Sequence, residues 1–215
     1  MCVQFLSFKA LDELASEYDA RVPKSFEWRQ EVFPRYVAPI LISRKGERQV
    51  VPLHFGLIPH FEAGSKPKKV FHNARSETAW SKPSFRKSFL YSRCLVPMQG
   101  FFETIWECDS GTRRERPVKV RFFKRGRQEI SLTAAGLWAL WRHPETRLVS
   151  AHFTILTREP PGYIRGVGHD RCPVFLSPAF WDRWLEPDVN DIAVLNHLLD
   201  VGREEIDWDS ERLSL

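Results

Sequence analysis

The chain has 215 residues, of which 43% are hydrophobic and 27% charged, with a net charge of +5 at pH 7. A chain of this size buries enough apolar surface to fold without staples, which excludes a disordered tail and a disulfide mini-protein. Its longest apolar run, residues 37–42, is far shorter than the ~18 residues that a membrane helix needs. We therefore expect a single domain over residues 1–215 with no membrane contact, located in the cytoplasm, since the N-terminus also lacks a secretion signal.

Predicted strands dominate the chain. Apolar runs bounded by turn residues predict strands at residues 2–8, 37–43, 49–55, 93–97, 101–107, 118–123, 130–141 and 149–157. Lys45-Gly46 predicts a hairpin turn, and Asp109-Ser110-Gly111 and Arg125-Gly126 predict further turns. Pro39 and Pro52 indicate edge strands or bulges in the first hairpin, because proline donates no ladder hydrogen bond.

Predicted helices are few. Apolar residues recur at helical spacing over residues 11–18, and residues 83–91 predict a short helix with a proline in its first turn. Near the C-terminus, Ser177 is expected to cap one helix, and Asp188 or Asn190 to cap another. Many strands with peripheral helices indicate an α+β fold, a single domain built around a mainly antiparallel, barrel-like β-sheet.

Positive charge is concentrated between residues 66 and 93, where Phe71, Trp80, Phe85 and Tyr91 interrupt a run of lysines and arginines. Interleaved basic and aromatic residues are typical of surfaces that bind single-stranded nucleic acid, and also of a solvated face over core aromatics. The chain has no dinucleotide-binding glycine motif, no Walker A motif and no Cys-x-x-Cys pair. We therefore expect no cofactor and no structural metal.

Cys2 stands apart from the other three cysteines because it follows the initiating methionine. If Met1 is removed, Cys2 carries an amine of pKa about 7.7–8.0 beside a thiol of pKa about 8.5, so both are partly nucleophilic near neutral pH. Such a 1,2-aminothiol condenses with an aldehyde: the amine forms a Schiff base and the thiol closes a thiazolidine ring. The alternative is an ordinary buried cysteine in the first strand.

Four later segments, taken together with Met1-Cys2, occur in a characteristic order along the chain. They are His54-Phe55-Gly56-Leu57-Ile58-Pro59-His60-Phe61, His72-Asn73-Ala74-Arg75-Ser76-Glu77-Thr78, Arg93-Cys94-Leu95-Val96-Pro97 leading to Gly100-Phe101-Phe102-Glu103, and Gly168-His169-Asp170-Arg171-Cys172-Pro173. Over most of its length the chain thus resembles the SRAP family, named for SOS response-associated peptidases. The resemblance implies a sensor of abasic sites in single-stranded DNA, which forms a thiazolidine between its N-terminal cysteine and the ring-opened sugar.

The resemblance also implies a role for each of four residues. Cys2 is the nucleophile, and Asn73 holds the terminal amine or the new ring. Glu103 shuttles protons during Schiff-base formation, and His169 protonates the sugar ring oxygen. Without the family context, Asn73 would be a turn residue, Glu103 a strand carboxylate and His169 a loop histidine bonded to Asp170.

For DNA binding, we expect Arg75 to contact phosphates with support from Lys68, Lys69 and Arg86, and His60 or Phe61 to pack against bases. The chain departs from the family pattern at several places, among them Gln4 where an arginine is usual, Val37 where an asparagine is usual, Thr104 where a tryptophan is usual and Cys172 where a methionine is usual. The DNA surface has thus diverged more than the four reactive positions. We expect a monomer.

Two alternatives remain open at this stage. The first is a cysteine hydrolase in which Cys2 attacks an amide and its own amine acts as the base. The second is a non-catalytic module that binds single-stranded DNA through residues 60–93.

Overall fold

The structure is a computed structural model that describes residues 2–108, 115–126 and 131–213. Its strands are β1 (Gln4–Leu6), β2 (Glu31–Val32), β3 (Val37–Arg44), β4 (Glu47–Phe55), β5 (Asn73–Arg75), β6 (Arg93–Met98), β7 (Gly100–Cys108), β8 (Glu115–Lys124), β9 (Leu132–Arg142), β10 (Val149–Arg158), β11 (Cys172–Pro173) and β12 (Trp208–Leu213). Its helices are α1 (Leu11–Tyr18), α2 (Ser76–Ala79), α3 (Arg86–Tyr91), α4 (Gly162–Val167), α5 (Trp181–Leu185) and α6 (Ile192–Val201), with a 3-10 turn at Pro178–Phe180.

The strands form two sheets. The first has the antiparallel order β12-β8-β7-β1-β2. In the second, with the order β11-β10-β4-β3-β6-β9, β9 also pairs with β10, so five strands close into a ring. Within this sheet β10 runs parallel to β4 and β5. The expected α+β fold with a mainly antiparallel, barrel-like sheet is confirmed.

Two apolar clusters hold these layers together, and β3 contributes to both. Ile40 and Ile42 pack in the cluster that also contains Phe5 and Phe101 of the first sheet. Leu41 lies in the other cluster, which the helices cover. Successive strand residues point to opposite faces, so one strand ties the first sheet to the helical layer. None of the described helices combines the length and apolar character needed to cross a bilayer.

The first hairpin forms as expected, with one correction. Lys45 and Gly46 adopt φ values of 56° and 77°, which a two-residue hairpin turn requires. Pro39 and Pro52 face each other across β3 and β4 with no bulge, and both strands are interior ones, so the edge expectation is wrong. The prolines are tolerated because the ladders on the outer sides of these strands include only Leu41 of β3 and the last two residues of β4.

The expected helix caps are also corrected. Ser177 precedes the 3-10 turn but its side chain makes no capping hydrogen bond. The cap of α6 is Asp191, rather than Asp188 or Asn190, and its carboxylate accepts from the Val194 backbone N–H at 2.9 Å. The predicted helix over residues 83–91 begins only at Arg86. The predicted turn at residues 109–111 lies outside the described residues.

Candidate active site

Cys2 lies where the two sheets meet. It immediately precedes β1, whose Gln4 pairs with Phe102 of β7 in the first sheet. Its backbone carbonyl accepts a hydrogen bond of 2.8 Å from the Asn73 side-chain amide. Asn73 opens β5, which pairs with Ile155 of β10 in the second sheet. The Cys2 side chain is fully buried, so this segment is anchored on both sides.

Glu103 and His169 form a buried pair beside this segment. Glu103 is on β7, and its side-chain Oε2 lies 3.0 Å from His169 Nε2. The two side chains are only 3% and 9% exposed. His169 follows Gly168, whose φ of 110° ends α4 in a left-handed turn that a glycine adopts without strain. The alternative partner, Asp170, is 3.9 Å from His169 Nδ1 and 90% exposed, so Glu103 is the principal partner.

The contacts of His169 fix where its protons lie. Its Nδ1 is 2.7 Å from the Arg171 carbonyl, which can only accept, while the Arg171 N–H lies farther from the same nitrogen at 3.3 Å. Nδ1 therefore carries a proton, and the 3.0 Å contact between Nε2 and Glu103 needs a second one. Burial lowers the pKa of His169, but the hydrogen bond and charge of Glu103 outweigh it, so the pKa is raised overall. The pair thus holds one transferable proton.

The environment of the Cys2 thiol disfavours its ionisation. Burial, and after it the negative charge of Glu103, raises the pKa of Cys2 well above its ordinary value. The Cys172 thiol contributes to the same effect, and burial raises its own pKa to about 12. The expectation of a partly ionised thiol refers to the chain without Met1 and stays a prediction; in the chain with Met1, a buried thiolate beside a carboxylate loses its hydration and is repelled. The thiol holds its proton at neutral pH.

Asn73 has one polar atom that the described residues leave unused. Its amide nitrogen donates to Cys2, but its Oδ1 is buried and accepts no hydrogen bond from the described part of the chain. A buried acceptor without a partner is costly, so such an atom is commonly found where a ligand or reacting group completes it. Asn73 is therefore suited to position an N–H or O–H group next to Cys2.

An ion pair connects two of the sequence segments that supply the site. Both guanidinium nitrogens of Arg171 donate to Glu77, at 2.7 and 2.8 Å. Burial raises the pKa of Glu77, but the Arg171 hydrogen bond and charge outweigh it and lower the pKa overall. Because Arg171 also holds His169, this pair fixes the histidine loop against α2. We assigned no role to Glu77 or Arg171 from the sequence, although both lie in the matching segments.

The expected DNA-binding residues are all exposed, but the structure does not bring them all together. Arg75 ends β5, two residues from Asn73, and makes no ion pair within the described residues. Phe61 lies near His60 and 5.7 Å from the Lys69 ammonium. Lys68 lies in the same loop, where its backbone N–H donates to Glu62. Arg86 is on α3 and donates to the Trp80 carbonyl, with no described contact to the loop.

A groove of about 490 Å³ beside the end of β4 and the start of β10 was missed by sequence reasoning. Its walls include Arg35, His54, Lys66, Trp141 and His152. His152 is three residues before Ile155, the partner of Asn73, which places the groove roughly 10 Å along β10 from the site. Within the described residues, no group of three or more His, Cys, Asp or Glu side chains is arranged to hold a metal ion.

The fold and the site define a class of α+β proteins in which a cysteine beside the N-terminus meets an asparagine and a Glu–His pair where two sheets join. A family model described as SOS response associated peptidase (SRAP) matches residues 1–210. The chain therefore belongs to the SRAP family.

Named relatives and solved structures agree with this assignment. The chain is 30% identical to the abasic site processing protein YoaM of Bacillus subtilis, over 93% of this chain and 85% of that protein. It is 27% identical to the abasic site processing protein HMCES of Pongo abelii, over 66% of this chain and 49% of that longer protein. A crystal structure from Bacteroides thetaiotaomicron matches with a TM-score of 0.80 at 21% identity, over 99% of this chain and 92% of that one. A protein from Bordetella bronchiseptica matches over the whole of both chains with a TM-score of 0.79 at 22% identity, which supports the fold.

Proposed function

We propose that this protein captures abasic sites in single-stranded DNA by forming a thiazolidine with Cys2 after removal of Met1. The observation that carries the proposal is the position of Cys2, held by Asn73 and next to the buried Glu103–His169 pair. The names of the relatives, abasic site processing proteins, support the class of lesion. A protein with this activity works in the cytoplasm, in association with the nucleoid if the cell is bacterial.

The first step is opening of the sugar. An abasic deoxyribose is mostly a closed hemiacetal, and its aldehyde is released when the ring oxygen takes a proton from the Glu103–His169 pair and the anomeric hydroxyl returns its proton to the same pair. His169 is the proton donor, because Glu103 and the Arg171 carbonyl keep both of its nitrogens protonated. Burial opposes protonation of His169, but the hydrogen bond and charge of Glu103 outweigh it and raise the pKa of His169, which favours retention of this proton.

The second step is condensation. The Cys2 amine adds to the aldehyde carbon, and the resulting carbinolamine accepts a proton from the Glu103–His169 pair and loses water to give an iminium ion. The Cys2 sulfur then bonds to the iminium carbon, and its proton passes to the Glu103 carboxylate. One water is lost overall and the pair regains its proton, so general acid–base catalysis by one pair serves both halves of the reaction.

The protonated thiol favours this chemistry over peptide hydrolysis. Attack on an amide requires a thiolate, and a pKa raised by burial and by Glu103 makes the thiolate scarce. Addition to an iminium ion is easier, since the carbon is already positively charged and the carboxylate that opposes ionisation can accept the proton. Aldehyde capture is therefore favoured over the cysteine hydrolase.

The DNA strand is proposed to run past Arg75, which is exposed beside Asn73. Arg75 contacts a phosphate next to the lesion, and Lys68, Lys69 and Arg86 add longer-range attraction. His60 and Phe61 pack against a base, with Lys69 near the Phe61 ring.

The test is the intact mass of the protein after incubation with a single-stranded oligonucleotide that contains one abasic site. We expect a species equal to the chain without Met1 plus the oligonucleotide minus one water. Without borohydride, Cys2→Ala should give no stable adduct, because it keeps the amine but lacks the thiol that closes the ring and its imine hydrolyses, whereas Cys108→Ser, which changes the exposed cysteine at the end of β7, should react like the wild type. Cys2→Ser keeps the amine and should give only an imine, detectable after borohydride reduction.

Two outcomes contradict the proposal. One is full adduct yield from protein that retains Met1, because its cysteine then lacks a free amine. The other is cleavage of peptide substrates by wild-type protein that gives no DNA adduct, which would favour the cysteine hydrolase. Noncovalent protection of the DNA by Cys2→Ala equal to that by the wild type would favour a binding module.

A further inference from the structure

The outward face of β7 carries an unusually exposed tryptophan. Glu103 and Ile105 point inward and are buried, whereas Thr104 and Trp106 point outward. The Trp106 residue is 65% exposed, more than any other aromatic residue in the described parts of the chain. Large aromatic side chains are normally buried in a soluble domain, so an indole at this position suggests that something covers it.

A cation lies beside Trp106. Lys119 of β8 pairs with Thr104, so it is the diagonal neighbour of Trp106 on the same face. Its ammonium is 4.6 Å from the centre of the Phe102 ring and 5.9 Å from that of Phe33, which is 37% exposed. Lys119 makes no ion pair with the described residues. The rings thus hold its charge in place without neutralising it.

The polar and charged side chains next to Lys119 on this face already have partners. Gln4, where the family pattern places an arginine, donates its amide to Glu31 at 3.0 Å. Arg121, which pairs with Phe102 on this face, binds Glu211 at 3.1 Å. Lys119 is therefore the cation of this face that is best placed to meet an anion next to Trp106.

This face adjoins the proposed reaction centre. β1 runs antiparallel to β7 with Gln4 opposite Phe102, so the chain leading back to Cys2 lies alongside Glu103 and Thr104. Trp106 is two residues beyond Thr104, about 7 Å along the strand. Arg75 belongs to β5, on the side of Cys2 that the second sheet provides. Trp106 and Arg75 thus lie on the two different sheets that the Cys2 segment contacts.

We propose that Trp106 is a stacking platform for a base close to the abasic nucleotide, with Lys119 contacting an adjoining phosphate. This inference rests on the proposed function and gives the DNA strand a second contact region, on the first sheet. A nucleotide is the occupant that fits, because every base offers a flat π-face to an indole and carries the phosphate that an unpaired lysine attracts. A partner protein would fit an exposed tryptophan but has no need of the isolated cation.

The test compares Trp106→Ala, Trp106→Phe and Tyr163→Ala, the last removing an exposed aromatic side chain of α4. Affinity is measured with an undamaged single-stranded oligonucleotide, and stacking by the quenching of 2-aminopurine at each position around an abasic site. We expect Trp106→Ala to weaken binding about 5- to 150-fold and to remove quenching at one position next to the lesion. Trp106→Phe should keep most of both, Tyr163→Ala should match the wild type, and Lys119→Gln should reduce the salt slope of binding by about one.

The outcomes separate this inference from the proposed function. If wild type and Trp106→Ala form adduct and bind undamaged strand equally well, the platform is wrong and the chemistry stands. If the wild type forms no adduct, the chemistry fails, while the binding and quenching data still judge Trp106. Equal losses in Tyr163→Ala and Trp106→Ala would overturn the platform, because any exposed ring would then serve. Since Trp106 is exposed, unchanged thermal melting excludes misfolding as the cause.

Discussion

Two regions of the molecule differ in how their side chains are held. One is the reactive cluster, which consists of Cys2, Asn73, Glu103 and His169. The other is the loop surface before β5, which carries His60, Phe61, Lys68 and Lys69. Cys2 and Glu103 are 0% and 5% exposed, and each is held by an identified contact to Asn73 or His169. Phe61 is 44% exposed, and neighbouring Lys69 makes only a distant contact with its ring. Buried polar groups are fixed by the partners that they need, whereas exposed cations act together and are screened by salt. Single substitutions should therefore matter much more in the cluster than on the surface.

The largest graded effect is expected for Glu103→Gln. This change keeps the shape and one hydrogen bond to His169 but removes the group that accepts the thiol proton. The rate of adduct formation should fall ~10²–10⁴-fold, the usual contribution of general acid–base catalysis. Single-turnover rates with saturating abasic DNA measure this effect. Glu107→Gln, a change on the same strand in a residue that binds Arg212 instead, is the control and should keep the wild-type rate.

His169→Ala should have an effect that depends on the substrate. On a closed abasic sugar, loss of the proton donor slows the supply of aldehyde. On an oligonucleotide with an acyclic aldehyde, that step is bypassed and most of the rate should return. Asp170→Ala, in the exposed neighbour, is the control. Equal losses of rate on both substrates would exclude ring opening as the role of His169 and leave it as a positioning residue for Glu103.

A smaller effect is expected on the surface. Arg75→Gln should weaken binding to single-stranded DNA of every sequence and reduce the slope of log affinity against log salt by about one. Arg44→Gln, an exposed cation at the β3–β4 turn, should leave the slope unchanged. A titration at several salt concentrations measures both. An affinity that is flat between low and physiological salt would show that phosphate contacts do not drive binding and would remove the distinction between the two regions.

The sequence predicts local features of this molecule better than long-range ones. The β3–β4 hairpin follows from two apolar runs around Lys45-Gly46, because both turn residues adopt the positive φ that the motif favours. Strand β12, with the sequence WDSERL, was not predicted because its side chains are mostly polar and show no strand pattern. It forms a strand because it pairs with β8. Closure of the ring by β9 and β10 is a tertiary contact with no local signal.

The site follows the same rule. Motif order identifies the residues, but their environment appears only in the fold. The Glu103–His169 contact joins residues that are 66 positions apart in the numbering, and the pairing of β1 with β7 brings the Cys2 segment beside them. The raised thiol pKa results from that burial, which the intrinsic pKa values applied to the sequence do not include. The sequence indicates no role for Glu77 or Arg171 separately. Their role is to hold the histidine loop, and it depends on the ion pair that they form in the fold.

The smallest effect concerns the groove that contains His54 and His152. It tests whether this groove is shielded from water, as the reactive cluster is, or open to water, as the loop surface is. Burial, and after it the charge of His54, lowers the pKa of His152 to about 4. The ring is 5.3 Å from that of His54, and its Nε2 lies 2.7 Å from the Ser150 hydroxyl. His152 is therefore neutral in the folded protein at pH 5, whereas the unfolded chain binds a proton below pH ~6.5.

The folded state thus loses stability as the pH falls from 6.5 towards 4. The loss should reach about 1 kcal/mol at pH 5 once solvent screening of the partly exposed ring is allowed for. His152→Gln should flatten the dependence of the unfolding free energy on pH in this window, and His197→Gln, in an exposed residue of α6, should not. Urea unfolding at closely spaced pH values measures the slope. Identical slopes for wild type and His152→Gln would mean that the groove is as open to water as the loop surface, and that only the Cys2 cluster is shielded.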